Sequence, residues 1–145
     1  MVDVRVLDEH DEDLVARALP LSRVRTPTGE YLVAWEQGEP VGHAHIEWGA
    51  EPPELQDVFV LASHRRRGLA SALTAAAEAR VLARGGAVLA LTVGADNLAA
   101  QALYRKLGYV RTAQPPHRVR GTVQLRTGPL EVDDLLLPFE KALRR

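Results

Sequence analysis

Cysteine is absent from this chain of 145 residues. Its absence excludes a disulfide framework, a thiolate metal site and a cysteine nucleophile. No apolar run approaches the length of a membrane span, and the N-terminus lacks the basic and apolar segments of a signal peptide. We therefore expect a cytoplasmic protein with no membrane partner.

Net charge is also nearly absent, since the formal charge is −1 at pH 7. There is no global basic field of the kind that nucleic-acid-binding proteins use, so no nucleic-acid partner is predicted. The composition, 46% hydrophobic and 26% charged, is that of a globular chain. Its length fits one compact domain, and we predict a single domain over residues 1 to 145.

Strand and helix patterns alternate along the chain. We predict strands at residues 2–7, 31–36, 41–48, 55–61, 88–93, 109–113 and 132–137, and helices at residues 11–19, 68–83 and 97–107. Residues 20–30 are predicted to be irregular or to hold a second short helix, and residues 114–129 to form a long connection. This order predicts an α/β fold in which helices flank a mixed sheet.

The most informative segment joins an apolar strand to a helix. Val58-Phe59-Val60-Leu61 is followed by Arg65-Arg66-Arg67-Gly68-Leu69-Ala70, which opens an alanine-rich helical stretch. The first N–H groups of a helix lack intrahelical partners, and the helix dipole adds positive charge, so such a turn binds phosphate. Gly68 tolerates backbone angles that a side chain forbids, and the arginines surround the anion with positive charge. Alone, this turn is a weak signal.

A second segment gives the turn a specific meaning. Asn97-Leu98-Ala99-Ala100-Gln101-Ala102-Leu103-Tyr104-Arg105-Lys106-Leu107-Gly108-Tyr109 resembles the hallmark asparagine–helix–tyrosine segment of the GCN5-related N-acetyltransferase (GNAT) superfamily. Arg65-x-x-Gly68-x-Ala70 resembles the acetyl-CoA signature of that family, Gln/Arg-x-x-Gly-x-Gly/Ala. One helix and one strand separate the two motifs, as in the family. With the flanking strands, the resemblance spans nearly the whole chain.

The resemblance implies the GNAT fold and its co-substrate, acetyl-CoA. The implied sheet has about six to seven mostly antiparallel strands, one parallel pair splayed for acetyl-CoA, and helices on both faces. Main-chain groups of the strand before the turn pair with the pantetheine arm, and N–H groups of the turn bind the pyrophosphate. The implied cofactor-binding residues are Val58, Phe59, Val60, Arg65, Arg66, Arg67, Gly68, Leu69, Ala70, Ser71, Asn97 and Tyr104.

The turn departs from the commonest family signature at two positions. Arg66 stands where a glycine is frequent, and Ala70 replaces the commoner second glycine. Alanine lies within the accepted pattern, and the arginine side chain can point to solvent. Neither change argues against cofactor binding.

Acetyl transfer requires an uncharged amine, a stabilised oxyanion and a proton for the departing thiolate. Tyr104 matches the family tyrosine near the thioester sulfur and is our candidate general acid. The alternative is a tyrosine packed in the core with its hydroxyl hydrogen-bonded. No covalent enzyme intermediate is needed, in keeping with the absence of cysteine.

The sequence offers several candidates for the general base, in contrast to the single candidate for the general acid. Glu54 falls where the histone-acetylating branch of the superfamily carries a glutamate base, and it is our candidate. It is alternatively an exposed carboxylate that follows two prolines. Asp57, Glu47 and His45 are reserve candidates, and a water relay is a further option that the family uses.

His43, His45 and Glu47 alternate on one face of a predicted strand, which is also compatible with metal ligation. Side chains in this pattern more often form a polar sheet face or a substrate wall. We predict no metal site.

These observations predict an acetyl-CoA-dependent N-acetyltransferase that acts directly on a primary amine of a small molecule or a protein. A non-catalytic acyl-CoA-binding sensor or partner domain is the alternative. A nucleotide-binding module is disfavoured, because it leaves residues 97–109 unexplained and the chain lacks a Walker-type lysine. GNAT relatives are often dimers, which makes a homodimer one option. The acceptor is not readable from loop sequences.

Overall fold

The computed structural model describes residues 2–144. Three α-helices accompany the strands: α1 (Glu12–Ala18), α2 (Leu69–Ala83) and α3 (Leu98–Lys106). None of these described helices is long and apolar enough to cross a membrane. The strands are β1 (Val2–Val6), β2 (Gly29–Glu36), β3 (Glu39–Glu47), β4 (Glu54–Val60), β5 (Val88–Gly94), β6 (Val110–Arg111), β7 (His117–Leu125) and β8 (Gly128–Ala142).

The strands form one sheet of eight strands in the order β1–β2–β3–β4–β5–β8–β6, and β7 pairs with β8. All neighbouring strands are antiparallel except β4 and β5, which are parallel. The predicted mixed α/β fold of the GNAT type is therefore confirmed, and β7 is the strand that the sequence did not predict.

β4 and β5 are paired only near their starts. Glu54 is the register partner of Ala90, and the Ala90 N–H donates to the Pro53 carbonyl at 2.9 Å. On its other side, β5 pairs with β8 along its whole length. Because the two parallel strands share no further register pair among the described residues, the sheet opens between them toward their C-terminal ends.

Successive apolar side chains of β2 point to opposite faces of the sheet and so belong to two separate hydrophobic clusters. Leu32 and Ala34 are buried with Leu73 of α2, whereas Val33 is buried with Val15 of α1 on the other face. Successive strand residues point to opposite faces, so both faces of β2 carry apolar side chains. Burial on both faces fixes the register of the sheet around the open pair.

The long helix α2 is held against the sheet by residues that recur every fourth position. Leu69, Leu73, Ala77 and Val81 are all buried. The helix ends at the glycine pair predicted to end it. The Gly86 N–H donates to the Val81 carbonyl at 2.9 Å and the Gly85 N–H to the Leu82 carbonyl at 3.0 Å, as in a Schellman motif.

The connection predicted over residues 114–129 is wrong. Most of it is β7, which pairs with β8 from His117↔Leu136 to Leu125↔Gly128, and β8 is much longer than the predicted strand at 132–137. Most of β7 is exposed. A strand without a buried face shows no apolar alternation, which is the signal that predicts strands from sequence.

Candidate active site

A cavity of about 400 Å³ lies beside the C-terminal half of β4 and is here called the turn cavity. Three elements supply its walls: the C-terminal half of β4, the turn that begins α2, and the inner face of α3. It is lined by Val58, Phe59, Val60, His64, Arg65, Arg66, Gly68, Leu69, Ala70, Ser71, Ala100, Leu103 and Tyr104. Most of the residues that the sequence predicted to bind acetyl-CoA thus lie around one cavity.

The turn before α2 is built from two residues with left-handed backbone. Arg66 has φ 65° and Gly68 has φ 79°. Gly68 is the N-cap of α2, and no side chain caps the helix there. The first N–H groups of α2 are therefore left to a ligand, and the helix dipole favours an anion at this end. The left-handed angle at Arg66 also explains why glycine is frequent at this position in the family.

The three arginines of the turn differ in what they contact. The Arg65 Nε–H donates to the Val60 carbonyl at 3.1 Å, which ties its side chain to the end of β4. Arg66 lines the turn cavity. Arg67 instead forms an ion pair with Glu36, with Nη2 2.5 Å from Oε2. Only two of the three arginine side chains therefore border the cavity.

Helix α3 starts at the predicted asparagine and presents one face to the site. The Asn97 Oδ1 accepts a hydrogen bond from the Ala100 N–H at 3.1 Å, which caps the helix. Ala100 and Tyr104 follow at spacings of three and four residues, so they lie on the same face. Asn97 does not line the turn cavity but a neighbouring cavity between β4 and β5.

Tyr104 is buried, with 8% of its surface exposed. Burial raises the pKa of its hydroxyl, and the neighbouring Thr74 hydroxyl partly opposes that rise. The ring packs edge-on against Tyr109, with centroids 5.7 Å apart. The Tyr104 hydroxyl therefore stays protonated at neutral pH, which a proton donor requires.

A second cavity of about 290 Å³ lies between β4 and β5 and is here called the gap cavity. Glu54, Gln56, Asp57, Asn97 and Tyr104 are among the residues that line it. Glu54 accepts a hydrogen bond from the Gln56 Nε2–H at 3.2 Å. The gap cavity thus brings Glu54 and Tyr104, the two predicted catalytic residues, to the walls of one space.

A third cavity of about 400 Å³ lies beside residues 22–26 and is here called the loop cavity. Three reserve candidates from the sequence, His45, Glu47 and Asp57, line it. Tyr31 and Gln124 also line it, and the sequence assigned neither of them a role. Tyr31 was missed because it lies in an apolar strand, where its hydroxyl gives no separate signal. Gln124 was missed because it lies in β7, the strand that was not predicted.

Hydrogen bonds hold three of the four ring nitrogens of the β3 histidines, and the buried His43 Nε2 has no partner among the described residues. The His43 Nδ1–H donates to the Asp57 carbonyl at 2.8 Å. His45 Nδ1 lies 3.2 Å from Gln56 Oε1, and its Nε2 lies 2.9 Å from Thr26 Oγ1. Burial lowers the pKa of both histidines, so both rings are neutral at pH 7. Among residues 2–144, no group of three or more potential ligand side chains has the arrangement of a metal site.

Glu47 contributes a charged side chain to the lining of the loop cavity. Its carboxylate accepts hydrogen bonds from the Thr28 hydroxyl and from the Gly49 N–H. The Thr28 bond, followed by the Gly49 bond, lowers the pKa of Glu47. The carboxylate is therefore ionised at neutral pH.

Comparisons with known proteins agree with this architecture. A crystal structure of the ribosomal-protein-S18-alanine N-acetyltransferase of Escherichia coli has a TM-score of 0.74 and 19% identity over 100% of this chain and 96% of that chain. The IAA acetyltransferase of Bacillus cereus has a TM-score of 0.73 and 15% identity, covering 99% of this chain and 100% of that chain. A GNAT acetyltransferase of Elizabethkingia anophelis with acetyl-CoA bound has a TM-score of 0.69 and 14% identity, covering 98% of each chain.

A search of curated protein sequences found no significant match. The family model described as "Acetyltransferase (GNAT) family" matches residues 4–109, which is most of the chain and includes both motifs. Acetyl-CoA is the acetyl donor of this family. The chain therefore belongs to the GNAT family and is an N-acetyltransferase.

Proposed function

We propose that this chain transfers an acetyl group directly from acetyl-CoA to a primary amine of a small molecule or a protein. The observation that carries the proposal is the position of Tyr104, which lines both the turn cavity and the gap cavity. The Tyr104 side chain can therefore contact a ligand that extends from the turn cavity into the gap cavity.

The residues around the turn fit acetyl-CoA. The uncapped start of α2 and the side chains of Arg65 and Arg66 suit the pyrophosphate. β4 has no strand partner on its β5 side beyond Glu54 among the described residues, so main-chain groups from Val58 to Val60 suit the pantetheine amides. Asn97 then acts chiefly by starting α3 in the correct place.

Acetyl-CoA supplies a thioester whose carbonyl carbon forms a bond with the amine nitrogen as the carbon–sulfur bond breaks. Glu54 takes a proton from the acceptor ammonium, directly or through water, and so generates the uncharged nucleophile. Tyr104 donates its hydroxyl proton to the departing sulfur, and the second proton that the nitrogen loses as the amide forms restores the Tyr104 hydroxyl, directly or through water. Burial keeps that hydroxyl protonated until it is needed.

Two measurements test the proposal. Calorimetry with acetyl-CoA, with ATP and NAD as controls, should detect binding of acetyl-CoA alone. Release of free CoA thiol over a panel of primary amines, with the products identified by mass spectrometry, should then identify the acceptor class. A protein that fails to bind acetyl-CoA, or that binds it but acetylates no amine, would overturn the proposal.

A further inference from the structure

Asp57 has an unusual backbone at the centre of the molecule. The β3–β4 register shifts between His43↔Phe59 and His45↔Gln56, so that Asp57 lies in a bulge. Its φ is 49°, a left-handed value that residues other than glycine rarely adopt. Bulges and left-handed side-chain-bearing residues concentrate where a fold re-aims a side chain for function.

The bulge is held from the buried side of the sheet. The His43 Nδ1–H donates to the Asp57 carbonyl, and the His43 side chain has no solvent exposure. The His43 ring also stacks on Phe59, with centroids 5.5 Å apart. The Asp57 main chain is therefore held by a contact that does not involve its carboxylate.

The carboxylate itself is held at one oxygen only. Oδ2 accepts hydrogen bonds from the Tyr31 hydroxyl at 2.5 Å and from the Ser22 N–H at 3.0 Å. No lysine or arginine in the described chain forms an ion pair with Asp57, and its nearest basic group, His43 at 3.9 Å, is neutral. Oδ1 makes no hydrogen bond to any described residue. The side chain is 27% exposed, which makes this unpaired charge accessible to a ligand.

Asp57 also lies at a junction between spaces. Together with Gln56 it lines both the loop cavity and the gap cavity. Tyr104 likewise lines both the gap cavity and the turn cavity. Asp57 is therefore part of the wall that the loop cavity shares with the gap between β4 and β5.

We propose that Asp57 binds the acceptor as a primary alkylammonium ion and directs its nitrogen into the gap cavity. The inference rests on the proposed function, because it names the class of acceptor for the same site. Val123 and Leu125 supply apolar surface for the alkyl part of the acceptor. Two other charged side chains line the cavity. Glu47 adds to the attraction for a cation, whereas the exposed Arg23, whose charge acts on Glu47 and His45, opposes it.

The test compares a charged probe with an uncharged probe of similar shape. Hexylamine, an ammonium ion at pH 7, and 1-hexanol are titrated into the ¹⁵N-labelled protein with CoA present, and amide shifts give both dissociation constants. We expect hexylammonium to bind at least about tenfold more tightly than hexanol, because hydrogen bonds to charged groups are worth roughly one to two orders of magnitude. Equal affinity for the two probes would overturn the inference.

The variant Asp57→Asn should lose most of this preference for the charged probe. Asp134→Asn is the matched control, because it makes the same change at an exposed residue of β8, and it should keep the full preference. A general weakening of the fold would lower the affinity for both probes and leave their ratio unchanged. Retention of the wild-type ratio in Asp57→Asn would contradict the assignment.

One further measurement does not depend on the folding of a variant. In the wild-type protein, nuclear Overhauser effects should connect the C1 methylene of hexylammonium with the Asp57 Cβ protons, and their absence at saturation would overturn the inference.

Thiol release over the amine panel distinguishes failure of the proposed function from failure of the role of Asp57. Binding through Asp57 without acetylation of any amine would remove only the proposed function, whereas acetylation with an unchanged probe ratio in Asp57→Asn would remove only the role of Asp57.

Discussion

At the scale of single residues, Tyr104 combines a buried hydroxyl with a position on two cavity walls. Replacing it with phenylalanine removes the proposed proton donor and little else. We expect turnover to fall by about two orders of magnitude or more, which is the usual contribution of a general acid. The affinity for acetyl-CoA should change little. Thiol release measures the first quantity and calorimetry the second.

Tyr109 provides the control for this experiment. Its ring packs against Tyr104, but its hydroxyl donates to Glu78 at 2.8 Å and lines none of the three cavities. Tyr109→Phe should reduce stability by about 1–3 kcal/mol, since it removes a hydrogen bond to a charged acceptor, which keeps only its Lys141 partner, and should retain turnover. Full turnover in Tyr104→Phe would exclude that residue from the mechanism.

Gly68 and Arg66 test the backbone of the phosphate turn. A Cβ at Gly68 would meet no atom within 4 Å, so Gly68→Ala acts through its left-handed φ alone. We expect a loss of about 1–2 kcal/mol in the free energy of unfolding and weaker acetyl-CoA binding. Denaturant unfolding and calorimetry measure these effects.

Arg66→Gly is the opposite change at a left-handed position of the same turn. Glycine relieves the strain of the side chain, but it also increases the entropy of the unfolded chain, so we expect a change within about 1 kcal/mol. Gly68→Ala with wild-type stability would mean that the turn does not need its left-handed backbone.

At the scale of elements, the β7–β8 hairpin has a structural role that reaches beyond its own strands. At its tip, Arg126 donates from Nη2 to the Leu19 carbonyl at 2.9 Å and from Nε to the Leu21 carbonyl at 3.0 Å. The Arg126 N–H donates to the Ser22 carbonyl at 2.9 Å. These bonds fasten the hairpin to the loop whose next residues line the loop cavity.

Arg126→Ala should therefore loosen one wall of the loop cavity. We expect the KM for the amine to rise severalfold while the affinity for acetyl-CoA is unchanged, because the turn cavity shares no residue with the hairpin. Amide hydrogen exchange should accelerate at residues 19–22 and 123–126. Arg118→Ala, which removes only an exposed ion pair with Asp133, is the control. An unchanged KM in Arg126→Ala would show that the hairpin does not shape acceptor binding.

How far the sequence predicts an element depends on where its signals lie. Helix α3 was predictable because its start, Asn97, and the glycine after its end, Gly108, are local features. Strand β7 was not, because its stability comes from pairing with β8 and from exposed contacts such as Arg118 with Asp133. Pairing between strands does not leave an apolar period in a strand that is exposed on both faces.

The candidate site divides in the same way. The turn and Tyr104 follow from short motifs, whereas the setting of Asp57 depends on Ser22 and Tyr31, which are 35 and 26 residues away in the chain. No spacing in the sequence encodes such a meeting. The bulge that re-aims Asp57 is likewise a product of the β3–β4 register rather than of any residue type.

At the scale of the whole molecule, the gap cavity shares lining residues with both the turn cavity and the loop cavity. In the proposed reaction acetyl-CoA occupies the turn cavity and the amine the loop cavity, so both should be bound before either product leaves. Initial-rate measurements at several concentrations of each substrate should give intersecting double-reciprocal lines. Parallel lines, which are typical of a covalent acetyl-enzyme, would contradict direct transfer.

The single register pair between β4 and β5 has a consequence for handling the protein. Strand edges normally occur at the borders of a sheet, where charge or coverage protects them from pairing with other chains. Here two backbone edges face one another in the interior of the sheet, beyond Glu54 and Ala90. Without its donor molecule the protein carries an internal seam that an extended segment of another molecule could enter. In the proposed binding mode the pantetheine arm covers the β4 edge of this seam, so acetyl-CoA should slow aggregation of the protein as well as supply the acetyl group.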